Sequence, residues 1–302
     1  MLKGVVAVVP TPLNEDESPD LEGVERLINF MVSHNIGLFA LGSAGEQMNL
    51  TFETRVKVAR KMADVNNGRV PILMGGGTFG IQEALDFCRE IKGCKIDGIH
   101  IISYDKKLSG VAVEKFYFDL AERVPFPLWL YQNTTRSNGI PIDSVKRLKE
   151  HPNIVGCKVA GFNHRDNLGF VMLQDDDFEI IGSADSQFFT FMCLGTRANT
   201  ASSASCFPEL FNELYQKLEA DSLKEARKKN LEILRFLNRI PKTAYKDNGE
   251  SSAEIKYILS LRGIFKEYCA KPFRSLNVEE KEKTREVFKD YEEYLETGIL
   301  KV

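Results

Sequence analysis

No stretch of the 302 residues reaches the ~18 consecutive apolar positions that a membrane span needs. The run Val5-Val6-Ala7-Val8-Val9, behind Met1-Leu2-Lys3-Gly4, is too short for a secretory signal and lacks a small-residue cleavage pattern, so a cytoplasmic protein is expected. Histidine is scarce: His34, His100, His151 and His164 are dispersed, and no two stand four positions apart. The six cysteines (Cys88, Cys94, Cys157, Cys193, Cys206, Cys269) lie in apolar contexts without the repeated short spacings of a zinc or redox motif, and read as reduced core residues. These absences disfavour a metal centre, and no cofactor is expected. Charge of one sign is missing too. A formal net charge of -3 gives no reason to expect nucleic acid or an anionic membrane as partner, which leaves a small molecule as the default ligand.

Short β-branched and apolar runs are what the chain does have, separated by charged amphipathic stretches: Val5 to Val9, Gly37 to Leu41, Pro71 to Met74, Gly98 to Ile102, Leu128 to Tyr131, Ile154 to Lys158, Phe178 to Ile181 and Ala198 to Ala201. The alternation predicts βα units around a parallel sheet, and eight of them is the number that closes a (β/α)8 barrel. Among the connectors, Leu21 to Ser33 puts Val24, Leu27, Ile28 and Met31 on one stripe, and Thr51 can cap a helix carrying Val56, Val58, Ala59 and Met62. Leu223 to Asn238, Ala253 to Phe265 and Val278 to Leu295 are amphipathic with no candidate strand between them. The expected organisation is therefore a TIM barrel over residues 1–220 and a C-terminal helical appendage over 221–302, with an open doubly wound sheet as the alternative.

Barrel enzymes carry their chemistry where the strands end. The polar and small residues fall there: Gly42-Ser43-Ala44-Gly45-Glu46, Gly75-Gly76-Gly77, Ser103-Tyr104-Asp105, Tyr131-Gln132-Asn133, Lys158, Gly182-Ser183-Ala184-Asp185 and Ser202-Ser203. Lys158 points either into the barrel mouth or outward to snorkel beneath the helices. In the mouth it would be a nucleophile, provided its pKa falls from ~10.4 to ~7–8, a preference for the neutral amine of about 4 kcal/mol that desolvation can supply. Tyr131 ends the preceding strand, within reach as a proton shuttle, or else is a core aromatic with its hydroxyl at the rim. Gly42 to Gly45 is a small-residue turn whose N–H groups and hydroxyl could hold a carboxylate, or simply a tight βα turn. Gly75-Gly76-Gly77-Thr78-Phe79-Gly80 matches G-x-G-x-x-G, so a nicotinamide-dependent oxidoreductase is the alternative from another class. The motif lies in the third unit, however, and Ser103 rather than an acid closes the next strand.

Three of these strand ends together resemble the dihydrodipicolinate synthase and N-acetylneuraminate lyase superfamily of class I aldolases, from about Val5 to the C-terminal helices. Gly42-Ser43-Ala44-Gly45-Glu46 resembles its G-[ST]-[ST]-G-E carboxylate loop, Leu130-Tyr131-Gln132-Asn133 its Y-N strand end, and Gly156-Cys157-Lys158 its G-x-K segment. The resemblance implies that Lys158 forms an iminium with pyruvate, that Tyr131 is the acid/base and that Ser43 and Ala44 hold the α-carboxylate. It also implies a homotetramer built as a dimer of dimers. The synthases carry a second hydroxyl residue where this chain has Ala44, and a tyrosine pair where it has Tyr104-Asp105. Arg136 matches the position at which they bind the semialdehyde's carboxylate, although Ser137-Asn138-Gly139 is one residue longer than the usual R-T-G. The expected function is retro-aldol cleavage of a 2-keto-3-deoxy sugar acid, with dihydrodipicolinate synthesis or a sugar-acid dehydratase as the alternatives. The expected site is Lys158 and Tyr131, with Ser43, Ala44, Arg136, Gly182, Asp105 and Ser202 binding substrate.

Overall fold

Each apolar run becomes a strand: β1 Gly4–Val8, β2 Gly37–Ala40, β3 Ile72–Gly75, β4 Gly98–Ile101, β5 Leu128–Gln132, β6 Ile154–Val159, β7 Glu179–Ser183 and β8 Ala198–Ala201. A computed structural model describes residues 2–77, 80–103, 105–161, 163–250 and 252–302. All eight strands pair in parallel with their sequence neighbours, and β1 also pairs with β8, which closes the ring and removes the open-sheet alternative. The connectors are α1 Leu21–Ser33, α2 Phe52–Asn66, α3 Ile81–Glu90, α4 Gly110–Ala121, α5 Ile142–Leu148, α6 His164–Val171, α7 Phe188–Cys193 and α8 Pro208–Glu219. Local signals set their starts: the Asp20 carboxylate accepts from the Gly23 N–H ahead of α1, and the Thr51 hydroxyl accepts from the Thr54 N–H ahead of α2.

Successive side chains on a strand face opposite ways, and here the two faces belong to two separate apolar clusters. Val5, Ala7, Leu128, Leu130, Cys157 and Val159 join the layer between sheet and helices. Val6, Val8, Phe39, Leu73, Trp129, Tyr131 and Ile181 fill the barrel interior. Lys158 stands between Cys157 and Val159, so the alternation that packs those two against the helices turns the lysine inward.

Four helices follow α8: α9 Leu223–Asn238, α10 Thr243–Asn248, α11 Ser252–Leu261 and α12 Val278–Thr297. No strand lies among the described residues after β8, in keeping with the sequence pattern. The short α10 had no sequence signal, since six residues cannot display a helical period. These helices are packed onto the barrel layer. The Phe207 ring lies 5.2 Å from that of Phe236 in α9 and 4.6 Å from that of Tyr291 in α12. The connection from α10 to α11 passes over the C-terminal mouth of the barrel, bringing Gly249 and Glu250 to the same cavity as Lys158.

The single tryptophan sits at the other end of the interior, where two glycines leave room for it. A Cβ on Gly156 would lie 2.5 Å from Trp129 Cζ3 and 2.7 Å from the Glu179 carbonyl oxygen, and one on Gly98 would lie 2.8 Å from Trp129 Cδ1. Gly156→Ala is therefore an overpacking substitution, expected to lower stability by about 1–3 kcal/mol. Urea unfolding followed through the Trp129 fluorescence checks this; an unchanged midpoint would mean that the indole has more room than the structure gives it.

Candidate active site

At the C-terminal ends of the strands lies a cavity of about 410 Å³, lined by residues that include Ser43, Ala44, Tyr131, Arg136, Lys158 and Ser202. A larger groove of about 740 Å³ involves α11, α12 and the segment between them, but contains no strand-end residue. The convergence of polar groups belongs to the smaller cavity.

Its floor is formed by the penultimate residues of β5 and β6. Tyr131 and Lys158 are direct register partners, which brings Lys158 Nζ to 3.1 Å from Tyr131 Oη. Lys158 is 2% exposed and its Nζ lies 3.8 Å from the centre of the Phe39 ring. Burial pulls the lysine down from its ordinary 10.5 to about 7, partly opposed by the negative charge of Glu250. The same burial pushes the Tyr131 phenol up to about 12, with Glu250 adding to the rise and the Asn133 hydrogen bond and Arg136 opposing it. Near neutral pH this floor therefore holds an amine with a substantial uncharged fraction beside a phenol that keeps its proton. Beneath them, His100 stacks on Phe39 at 3.7 Å and bonds through Nε2 to the Ala40 carbonyl. Its burial, together with the Lys158 charge, lowers it to about 3 and keeps the imidazole neutral.

The wall after β2 is held from behind. Leu41 and Glu46, both at positive φ (+49° and +58°), bracket the Gly42 to Gly45 turn. The Thr11 hydroxyl donates to the Gly45 carbonyl at 2.6 Å, and the fully buried Glu46 carboxylate lies 2.9 Å from Lys256 Nζ of α11. Its other oxygen accepts from the Ala270 N–H at 2.6 Å. The Ser43 hydroxyl is buried with no hydrogen-bond partner and borders the cavity, so it has a free donor for an incoming anion. Gly75, at the end of β3, allows the backbones to meet here: a Cβ would fall 1.9 Å from the Leu41 carbonyl oxygen. Close packing thus accounts for the first glycine of the nucleotide-like motif; Thr78 and Phe79 lie outside the described residues.

The remaining sequence candidates separate. Ser202 lines the cavity alongside Ser183, Ala184 and Gln187. Gly182 does not line it: its carbonyl accepts from the Thr200 hydroxyl at 3.0 Å, and its α-carbon is packed against Asn199 and Phe191. Asp105 is exposed and accepts from the Lys107 N–H at 2.8 Å, outside the cavity of its own chain. Its neighbour Tyr104 lies outside the described residues. Arg136 lines the cavity with its guanidinium 2.5 Å from Glu250. The Asn133 side chain sets the loop that carries it, accepting from the N–H groups of Thr135 and Arg136 at 3.0 and 3.2 Å. Sequence reasoning missed Thr135, Gln187, Tyr245, Gly249 and Glu250 as lining residues. Glu250 stands 114 positions from Arg136, and no local pattern could have joined them.

The sequence pattern of the Dihydrodipicolinate synthetase family matches residues 1–291. The chain is 26% identical over 295 residues to a 4-hydroxy-tetrahydrodipicolinate synthase of Archaeoglobus fulgidus, covering 97% of this chain and 99% of that one. Among solved structures, dihydrodipicolinate synthase of Bacteroides thetaiotaomicron superposes with a TM-score of 0.89 at 25% identity, over 95% of this chain and 98% of that one. A sialic acid aldolase of Ruminococcus gnavus gives a TM-score of 0.88 at 20% identity, over 95% and 96%, a likeness of fold alone.

Burying a lysine has a consequence for stability that can be measured. Below pH 7 the folded chain must hold a buried ammonium, whereas between pH 7 and 10.5 the unfolded chain binds a proton that the folded chain does not, so this residue's penalty fades as pH rises. Lys158→Met is therefore expected to stabilise the protein at pH 6 by up to ~4 kcal/mol, with the gain shrinking toward pH 10. Urea titrations at pH 6, 8 and 10 test it; a gain that is absent, or that grows with pH, contradicts the buried amine.

Proposed function

Since the chain belongs to the dihydrodipicolinate synthetase family of carbon–carbon lyases, we propose that it is a Schiff-base aldolase releasing pyruvate from a 2-keto-3-deoxy sugar acid, with Lys158 as the amine. The observation that carries this reading is the buried Lys158 Nζ 3.1 Å from Tyr131 Oη. The neutral amine attacks the C2 carbonyl, and Tyr131 passes the protons needed to expel water and leave an iminium. The iminium draws the electron pair of the breaking C3–C4 bond, while the C4 hydroxyl gives up its proton and becomes the aldehyde. The resulting enamine takes a proton at C3, and water then releases pyruvate and restores the lysine. Ser43, with the backbone around Ala44, is the proposed holder of the α-carboxylate throughout. The iminium serves as its own electron sink, so the proposed reaction needs neither metal nor cofactor. The proposed assembly is a homotetramer.

The names of the relatives favour a second reading, condensation of pyruvate with an amino-acid semialdehyde. Against it stand Ala44, which has no hydroxyl for a proton relay, and Asp105, which has no phenol. A dehydratase acting on the same sugar-acid iminium is a third outcome of the same test.

The test is kcat/KM measured side by side for pyruvate release from a panel of 2-keto-3-deoxy sugar acids and for condensation with aspartate semialdehyde. Sugar-acid cleavage is expected to dominate; semialdehyde turnover comparable to it or above it contradicts the choice. Lys158→Ala should abolish turnover, and Tyr131→Phe should slow it by ~10²–10⁴-fold, the range of a positioned proton donor. A Tyr131→Phe enzyme of undiminished rate would remove the phenol from the mechanism.

A further inference from the structure

The family relationship leaves unexplained a carboxylate that reaches the site from the C-terminal helices. Gly249, at φ +68°, ends α10 and turns the chain so that Glu250 faces the barrel mouth. Its Oε2 lies 2.5 Å from Arg136 Nη2, which also donates to the Gly249 carbonyl at 3.1 Å. The two side chains are 13% and 34% exposed, sheltered enough for their charges to act on a ligand beside them.

We propose that Glu250 sets substrate choice in the outer half of the cavity, directing it to aldehydes with a neutral, hydroxylated chain and away from those ending in a carboxylate. The inference rests on the Schiff-base reading of Lys158. Among the described lining residues only Lys158, Arg136 and Glu250 can carry a full charge; the outer wall otherwise consists of neutral groups such as Asn133, Thr135, Gln187 and Tyr245. A lone arginine there would be a carboxylate receptor. Paired with Glu250 it no longer offers a net positive charge. An incoming terminal carboxylate must either take the guanidinium from Glu250 or lie beside a second negative charge, and both are unfavourable. Hydroxyl groups meet neither obstacle: each can donate to the Glu250 carboxylate and accept from the Arg136 N–H groups with the pair intact.

The experiment is the condensation direction, run with pyruvate and two acceptors, glyceraldehyde and succinic semialdehyde, for the native enzyme, Glu250→Gln, Arg136→Gln and the double variant. The native enzyme is expected to prefer glyceraldehyde. Glu250→Gln should move the kcat/KM ratio toward the semialdehyde by roughly tenfold or more, because it uncovers Arg136, and the double variant should lose that gain. A native preference for succinic semialdehyde overturns the proposal even if no variant folds. So does an unmoved ratio in a Glu250→Gln protein that unfolds cooperatively, or an equal gain in the double variant. Reductive trapping of pyruvate on the native enzyme separates the two layers: without an adduct the Schiff-base reading fails, whereas an adduct with the wrong acceptor preference removes only the role given to Glu250.

Discussion

Removing the Lys158 ammonium from water is the constraint around which the catalytic end of this molecule is organised. An amine in water at neutral pH is almost wholly protonated and cannot attack a carbonyl. The strand alternation that packs Cys157 and Val159 against the helices leaves Lys158 in the barrel, over the Phe39 ring and beside Tyr131, almost fully withdrawn from solvent at the base of the cavity. The same low-dielectric setting raises Tyr131 and lowers His100, so that one desolvated patch yields a neutral nucleophile, a protonated phenol and an uncharged imidazole. A stability penalty at Lys158 and a reactive amine are two consequences of one burial.

The parts farther out serve to hold that patch in register. Glu46 ties the turn after β2 to Lys256 in α11 and to the backbone at Ala270, across more than 200 positions of sequence. Because both charges are fully buried, removing one partner would strand the other, and such buried pairs cost several kcal/mol to break. The C-terminal helices thus do more than cover the barrel. They brace the loop carrying Ser43, and the connection between α10 and α11 supplies Glu250 to the cavity wall.

What could be read from the sequence follows from how local each signal is. The eight strands and the helix starts at Leu21 and Phe52 depend on runs and caps a few residues long, and the structure has them within a residue or two. Ser43, Tyr131 and Lys158, which line one cavity, could be picked out as candidates because each lies at the end of a strand or just beyond it. The inward turn of Lys158 is not fixed by its own run, which is apolar on both faces; it follows from the packing of Cys157 and Val159 in the helix-facing layer. Gly182 shares the strand-end position but is committed to packing against Phe191, and Asp105 lies one loop too far out. Glu250 has no strand-end context at all; only the folding of the C-terminal helices onto the barrel brings it to Arg136.

The neutral, buried amine of Lys158 is the central claim, and trapping tests it most directly. Borohydride added with pyruvate across a pH series, followed by peptide mass analysis, should give a single reduced pyruvyl adduct on the peptide containing Lys158. The rate of adduct formation should rise through pH of about 7 as the amine loses its proton. An adduct on another lysine, none on the folded protein, or a rate that climbs only near pH 10 would contradict the account.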